Sequence, residues 1–328
     1  MSATKEVDIH MAKGGEGGGE GYVCTTCHKT EKHQMQGSRY MPESKDLHGM
    51  DVVGGSRATC ESCHGIKPHP DTVNDKLNDH VARIACQTCH IPSLARGGVP
   101  TMTYWDWSTA GRLNDKGKPI IEKNEQDRVV YSSQRGSTQW EENVIPDYIW
   151  FNGRVDYLSL SDTINPKGVV QLNTLAGGPD DPGSRIWPVK VLRGKQPIDS
   201  ENATLVAARL FGKEDDAYWK AFDWKQSIDT GMKTAGLEFS GKIGFVETEM
   251  RIPINHMVAP AKDALQCESC HSKDGRLSSV PGTHMPGRGA NPIINFIGIF
   301  LILASLAGVI VHGTLRAILR HRHHRKAS

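Results

Sequence analysis

The sequence predicts a mainly α-helical fold with extensive loops, organised around something other than its own side chains and ended by one transmembrane helix. Three observations carry this expectation. All eight cysteines sit in Cys-x-x-Cys pairs, each followed at once by histidine. Hydrophobic residues make up only 38% of the 328-residue chain, thin for a self-sufficient core. Near the C-terminus, Pro292 to Val311 runs for twenty residues without a charge.

The pentapeptides are "CTTCH", "CESCH", "CQTCH" and "CESCH", with cysteines at Cys24/Cys27, Cys60/Cys63, Cys86/Cys89 and Cys267/Cys270. This spacing puts two thiols on about one helical turn, where they can form thioethers with the vinyl edges of a porphyrin. The next residue then presents an imidazole to the iron, so His28, His64, His90 and His271 are expected as proximal ligands. A zinc knuckle uses cysteine thiolates in four-ligand sets, and a thioredoxin-like pair needs one motif with no fixed histidine after it. Neither explains one pentapeptide repeated until the cysteines are used up. The expected cofactors are four c-type haems, each with its iron, and the expected fold is a multihaem cytochrome c fold whose packed haems supply the missing core.

Six further histidines lie near the motifs: His10, His33, His48, His69, His80 and His256. His33 and His69 each fall five residues after a proximal histidine. They are too close to that haem's attachment loop to reach its far face, but they can reach an adjacent haem. Bis-histidine ligation is therefore expected for most of these residues. Two axial imidazoles leave no open coordination position, so such haems move electrons and bind no substrate. Six candidates exceed four haems: either some are not ligands or some serve haems outside this chain. His48 reads equally well as a surface residue, and His284 as a loop residue.

Along the chain, residues 1–23 read as a flexible lead-in carrying the ligand candidate His10, and 24–94 as a tri-haem segment. Residues 95–255 are haem-free and hold all seven tryptophans, read as packing residues. Within them "DAYWKAFDWKQSIDTGMKTAG" is expected to be helical, and much of the rest to be loop with short elements. Residues 256–290 form the fourth haem segment, 291–314 the transmembrane helix and 315–328 a basic tail. Twenty apolar residues span about 30 Å of hydrocarbon, and five Arg or Lys follow the span. The positive-inside rule then places the tail in the cytoplasm and the haem domain in the periplasm, at the inner membrane. His312 reads as an interfacial residue rather than a ligand to a partner's b-type haem. A net charge of +2 gives no reason to expect a nucleic-acid partner. No signal peptide opens the chain.

The chain resembles the C-terminal half of octahaem cytochromes of the tetrathionate reductase type, relatives of the hydroxylamine oxidoreductase and pentahaem nitrite reductase group. The strings that carry the resemblance are "CQTCHIP" (86–92), "WDWSTAG" (105–111), "WFNG" (150–153), "GKQP" (194–197), "LFGK" (210–213), "AYWKAFDW" (217–224), "GFVETEM" (244–250) and "PINHMVAP" (253–260). It covers roughly residues 6 to 275. The family has eight motifs and this chain has what look like the last four. The family's catalytic haem, with a lysine proximal ligand, belongs to the other half. The resemblance therefore implies electron-transfer haems here, and makes "EVDIHM" an internal segment whose His10 ligates a haem. It also implies either a chain begun at an internal methionine or a naturally split or shortened relative.

The function expected is a membrane-anchored, periplasm-facing tetrahaem cytochrome passing electrons between a membrane donor and a reductase site. Its expected partners are a quinol-oxidising or cytochrome b subunit, other redox proteins or the missing N-terminal haem half, and the inner membrane itself. The alternative is a terminal reductase of tetrathionate, nitrite or hydroxylamine at an open-faced haem; a polymerising haem-wire subunit is a third.

Overall fold

The computed structural model describes residues 3–14, 18–28, 30–31, 34–35, 59–70, 75–283 and 291–326. His33, His48 and His284 lie outside them. The chain divides into a larger unit, residues 1–266 with 279–283, and a smaller one, residues 267–278 with 284–328.

The larger unit begins with short elements: α1 (Cys24–Cys27), β1 (Thr30–Glu31), β2 (Gln34–Met35), α2 (Cys60–His64), α3 (Asp75–His80) and α4 (Cys86–His90). Strands then dominate: β3 (Thr101–Asp106), β4 (Ile121–Lys123), β5 (Val129–Ser132), β6 (Gly136–Glu141), β7 (Asp147–Phe151), β8 (Val155–Tyr157), β9 (Val170–Gln171), β10 (Asn173–Leu175), β11 (Arg185–Asp199) and β12 (Thr204–Leu205). Helices α5 (Tyr218–Ala221) and α6 (Trp224–Ala235) precede the last strand, β13 (Ile243–Pro253).

The expectation of a mainly α fold is wrong. Nine of these strands form one mixed sheet, in the order β4-β5-β6-β3-β11-β13-β9, with β7 and β12 also paired to β11. The fifteen-residue β11 is its central member. It runs antiparallel to β13 from Val189↔Pro253 to Asp199↔Ile243, antiparallel to β7 from Arg185 to Pro188, and parallel to β3 at Arg193–Lys195. The sequence hides this strand for a physical reason. Arg185 to Val189 are all buried, which removes the in–out alternation that marks a half-buried strand. Pro188, Gly194 and Pro197 then punctuate it like a loop. Gly194 is required by close approach: a Cβ there would lie 2.8 Å from the Trp105 carbonyl oxygen on β3.

The core lies against this sheet. Ala85, Phe151, Leu175, Trp187 and Val189 form one cluster, and Ile164, Val170, Ile198, Leu205 and Val246 another. The tryptophans act as pegs, their indole N–H groups donating to backbone carbonyls: Trp150 to Pro281 (2.7 Å), Trp187 to Ile254 (3.2 Å) and Trp105 to Arg135 (2.8 Å). Helix α6 forms where a helix is expected. Asp223 caps it by accepting from the Gln226 N–H, Ile228 and Met232 are buried, and Gly236 at φ +70° ends it. At the far end of β11 the fully buried Asp199 carboxylate accepts from the backbone N–H groups of Glu201, Asn202 and Ser240 and from the side chains of Asn202 and Ser240.

The sheet also carries two of the motif helices, α2 and α4. Thr88, the second variable residue of "CQTCH", is fully buried and donates its hydroxyl to the Ile186 carbonyl (2.8 Å). The Ala85 N–H donates to that same carbonyl (3.0 Å). Ile91 and Leu94 pack with Ile254 just after α4. Helix α2 is tied to the start of β11 by an ion pair, Glu61 Oε1 to Arg185 Nη1 at 2.6 Å, with the side chains 9% and 11% exposed.

In the smaller unit, α7 (Cys267–Cys270) carries the fourth motif and α8 (Pro292–Lys326) follows. Residues Pro292–Arg320 make α8 long and apolar enough to cross a membrane, and its apolar side chains are exposed.

Two stability predictions arise from the anchors. Glu61→Gln removes one partner of a buried pair and should cost about 3 kcal/mol, measured by denaturant unfolding of the haem-loaded protein. Asp199→Ala should also cost about 3 kcal/mol, because it strands several buried donors. Burial pushes the Asp199 carboxyl up, but the hydrogen bonds from Ser240, Asn202 and Glu201 outweigh it and hold the group below its ordinary value. A depressed carboxylate stabilises the fold above its unfolded pKa, about 3.9. The gap between wild type and Asp199→Ala should therefore be constant above about pH 5 and close as the pH falls through the depressed folded value. A gap that widens in acid contradicts the assignment.

Candidate haem-binding site

Each Cys-x-x-Cys-His pentapeptide forms a single helical turn of four or five residues. In the first two, the hydroxyl residue before the second cysteine stabilises the turn. Thr26 Oγ1 accepts from the Val23 N–H (3.2 Å), and Ser62 Oγ accepts from the Thr59 N–H (3.1 Å).

The four cysteine pairs read alike in the sequence, but their surroundings differ. Cys24, Cys27, Cys63 and Cys267 are exposed, which leaves their sulfurs open for thioether formation. Cys60, Cys86, Cys89 and Cys270 are half-buried. The third pair, Cys86 with Cys89, is thus the one in which neither thiol is exposed. Cys89 owes its position to what covers α4. Its carbonyl accepts from the Leu265 N–H (2.9 Å), and the next carbonyl, of His90, accepts from the Ala259 N–H (2.8 Å), so the chain after β13 lies along the end of this motif. The second and third motifs are neighbours: interaction with the Cys86 thiol, then burial, raises the Cys60 pKa.

The histidines meet in pairs. His28 faces His256 with ring centroids 5.9 Å apart, His64 faces His10 at 6.1 Å, and His90 faces His69 at 6.4 Å. Each pair joins a histidine that follows a Cys-x-x-Cys to one from elsewhere in the chain. An imidazole–metal bond of about 2.0 Å plus roughly 1.1 Å to the ring centre sets two axial rings about 6.2 Å apart. The three separations fit an iron between each pair. His69 meets the proximal histidine of the next motif, not that of its own.

What holds each distal ring differs. Asn78 on α3 clamps His69: its Oδ1 accepts from the His69 N–H (3.1 Å) and lies 3.3 Å from Nδ1, and its Nδ2 donates to the His69 carbonyl (3.1 Å). With the Nδ1 proton donated to Asn78, Nε2 keeps the lone pair that a metal needs. His10 and His256 share one strut, Asp8, which is 4% exposed. Asp8 Oδ1 accepts from the backbone N–H groups of His10 (2.9 Å) and Met11 (3.1 Å). Its Oδ2 accepts from those of Met257 (2.7 Å) and Val258 (3.2 Å). The Arg96 guanidinium donates to the carbonyls of Val7 and Met257, and the Ile9 N–H donates to the Val258 carbonyl. Met257 sits at φ +73°, a left-handed conformation costing about 1 kcal/mol in a non-glycine residue, so the turn after His256 depends on these bonds.

Burial, then the charges of His69, His64 and His10, hold His90 below the usual histidine range. Burial and His28 do the same to His256, with Asp8 opposing. Both shifts favour the neutral imidazole, the form that ligates. His80 ends α3, its carbonyl accepting from the Arg83 and Ile84 N–H groups. His271 follows α7 in the smaller unit. Asp8, Asn78, Arg96 and the Glu61–Arg185 pair are not among the residues the sequence singles out. The only local signal is that Asp8 lies two residues before His10, where an Asx turn can form.

A family model described as "Cytochrome c bacterial" matches residues 102–274. The crystal structure of an octaheme cytochrome c from Shewanella oneidensis superposes with a TM-score of 0.69 at 34% identity. The match covers 89% of this chain and 62% of that one, so the chain spans under two thirds of that relative's length. A comparison with curated proteins gives no significant match. The matched segment, more than half of the chain, makes this protein a member of the bacterial cytochrome c family, of the octahaem-type multihaem branch, with c-type haem as its cofactor.

Proposed function

We propose that the chain is a membrane-anchored electron-transfer subunit holding four c-type haems, attached at Cys24/Cys27, Cys60/Cys63, Cys86/Cys89 and Cys267/Cys270. His28, His64, His90 and His271 serve as proximal ligands. His256, His10 and His69 serve as the distal ligands of the first three haems, in that order. His33, His48 and His80 remain candidates for the fourth haem or for haems of a partner. The observation that carries the reading is the three imidazole pairs with centroids 5.9, 6.1 and 6.4 Å apart.

When bound, c-type haem supplies a reversible one-electron iron couple. The chain's own residues set where that couple sits. Cysteine pairs would fix the porphyrin, paired imidazoles would hold its iron, and Asn78 and Asp8 hold the paired rings in place. With both faces closed, these three positions have no room for a substrate, which favours electron transfer over reduction of tetrathionate, nitrite or hydroxylamine. Helix α8 would span the inner membrane with its basic end in the cytoplasm, keeping the haem-bearing part in the periplasm near a quinol-oxidising or cytochrome b subunit. The haems that complete an octahaem array would lie in sequence equivalent to the part of the Shewanella protein that this chain does not span, on a partner or on the same polypeptide.

Two measurements test the proposal. Electron paramagnetic resonance of the oxidised, haem-loaded protein should show low-spin bis-histidine signals, and His69→Ala should convert one of them to high-spin while the others keep their shape. A high-spin signal in the wild type would support the reductase reading instead. Removing residues 292–328 should move the protein from the membrane to the soluble fraction with its haem content unchanged. Retention in the membrane would refute the anchor.

A further inference from the structure

We infer that Asp8 is a positioning residue that ties the distal ligation of two different haems to one carboxylate. The inference rests on the ligand reading above and goes beyond it, because Asp8 is not among the proposed ligands. Its two oxygens divide the work. Oδ1 takes the N–H groups of His10 and Met11, fixing the backbone that aims His10 at His64. Oδ2 takes the N–H groups of Met257 and Val258, fixing the turn that aims His256 at His28. Four backbone donors converge on one buried carboxylate, and the two segments they belong to are 249 residues apart in sequence where Asp8 meets Met257.

The rest of the junction is built to the same end. Arg96 donates to carbonyls of both segments, at Val7 and Met257. Gly97 lets the N-terminal segment come close, since a Cβ there would lie 2.7 Å from Val7 Cγ2. Met257 holds a left-handed backbone whose N–H is one of the Asp8 donors. A local cap would need one oxygen and one segment; this carboxylate uses both oxygens on two segments. Loss of Asp8 therefore loosens two distal ligands together, while the third pair, His69 with His90, keeps its separate clamp on Asn78.

Asparagine at this position makes the test sharp. Its side chain has one acceptor oxygen, and its NH₂ group would face N–H donors. Asp8→Asn can satisfy one segment and must release the other. The experiment is electron paramagnetic resonance with potentiometric titration of the haem-loaded, full-length protein, comparing Asp8→Ala, Asp8→Asn, His10→Ala and His256→Ala. His10→Ala and His256→Ala should each alter one low-spin signal. Asp8→Ala should alter those same two signals and shift both potentials, and Asp8→Asn only one of the two. In every Asp8 variant the His69–His90 signal should match the wild type, which excludes general unfolding. If the two histidine variants behave as expected but Asp8→Ala leaves both signals native, Asp8 is not the strut. A change in all three signals also overturns the inference. If Asp8→Ala does not accumulate, native signals at both haems in Asp8→Asn overturn it. If neither histidine variant alters a signal, the ligand reading itself fails.

Discussion

A Cys-x-x-Cys-His turn is four or five residues long, too short to persist on its own hydrogen bonds. Its place in the molecule therefore depends on what the rest of the chain attaches to it, and the structure can be understood as a set of such attachments. For the third motif they are the buried Thr88 hydroxyl and the Ala85 N–H, both meeting Ile186 on β11, and the Leu265 N–H on the Cys89 carbonyl. For the second it is Glu61 on Arg185, at the start of the same strand. The strand that organises the haem-free region is thus also the strand that fixes the spacing of two haem motifs. This explains why tryptophan-rich sequence lies between the third and fourth motifs: it builds the frame.

The second kind of attachment comes from the distal side. Each paired histidine belongs to a different piece of chain from its partner, so an iron between them would act as a crosslink. Three crosslinks of this kind would offset the thin hydrophobic content, because they would join the N-terminal segment, the α3 region and the loop after β13 to the motif helices. Burial and the neighbouring imidazoles hold His90 below the usual histidine range, which favours the neutral form that can ligate a metal.

The site was more legible in the sequence than the fold. The motifs declare themselves through their repeated spacing, and the placement of His69 five residues after His64 pointed away from its own motif; its ring stands 6.4 Å from that of His90, in the next motif. Helix α6 could be read from its punctuation, with Asp223 before it and Gly236 after it. The sheet could not be read in this way. Alternation fails along Arg185 to Val189 because both faces are covered, and Pro188 and Pro197 sit in strand positions where their missing N–H groups argue against a strand. Supporting residues were also hidden, since Asp8 and Asn78 act through backbone groups and leave no periodic trace. The cover over Cys89 was hidden for the same reason: it comes from backbone groups at residues 259 and 265, far from the motif in sequence.

The contact between Asp8 and Met257 bears on how the protein matures. Chains are made from the N-terminus, so the cysteines at 24 and 27 are available for haem attachment long before residue 256 exists. The haem proposed at Cys24 and Cys27 would thus wait for a ligand from far downstream in the chain, with one face open to water or to other histidines in the interval. The strut that closes it spans 249 residues. Covalent attachment at this motif would thus precede its second ligation, and a chain halted before residue 256 would leave that iron with one face open.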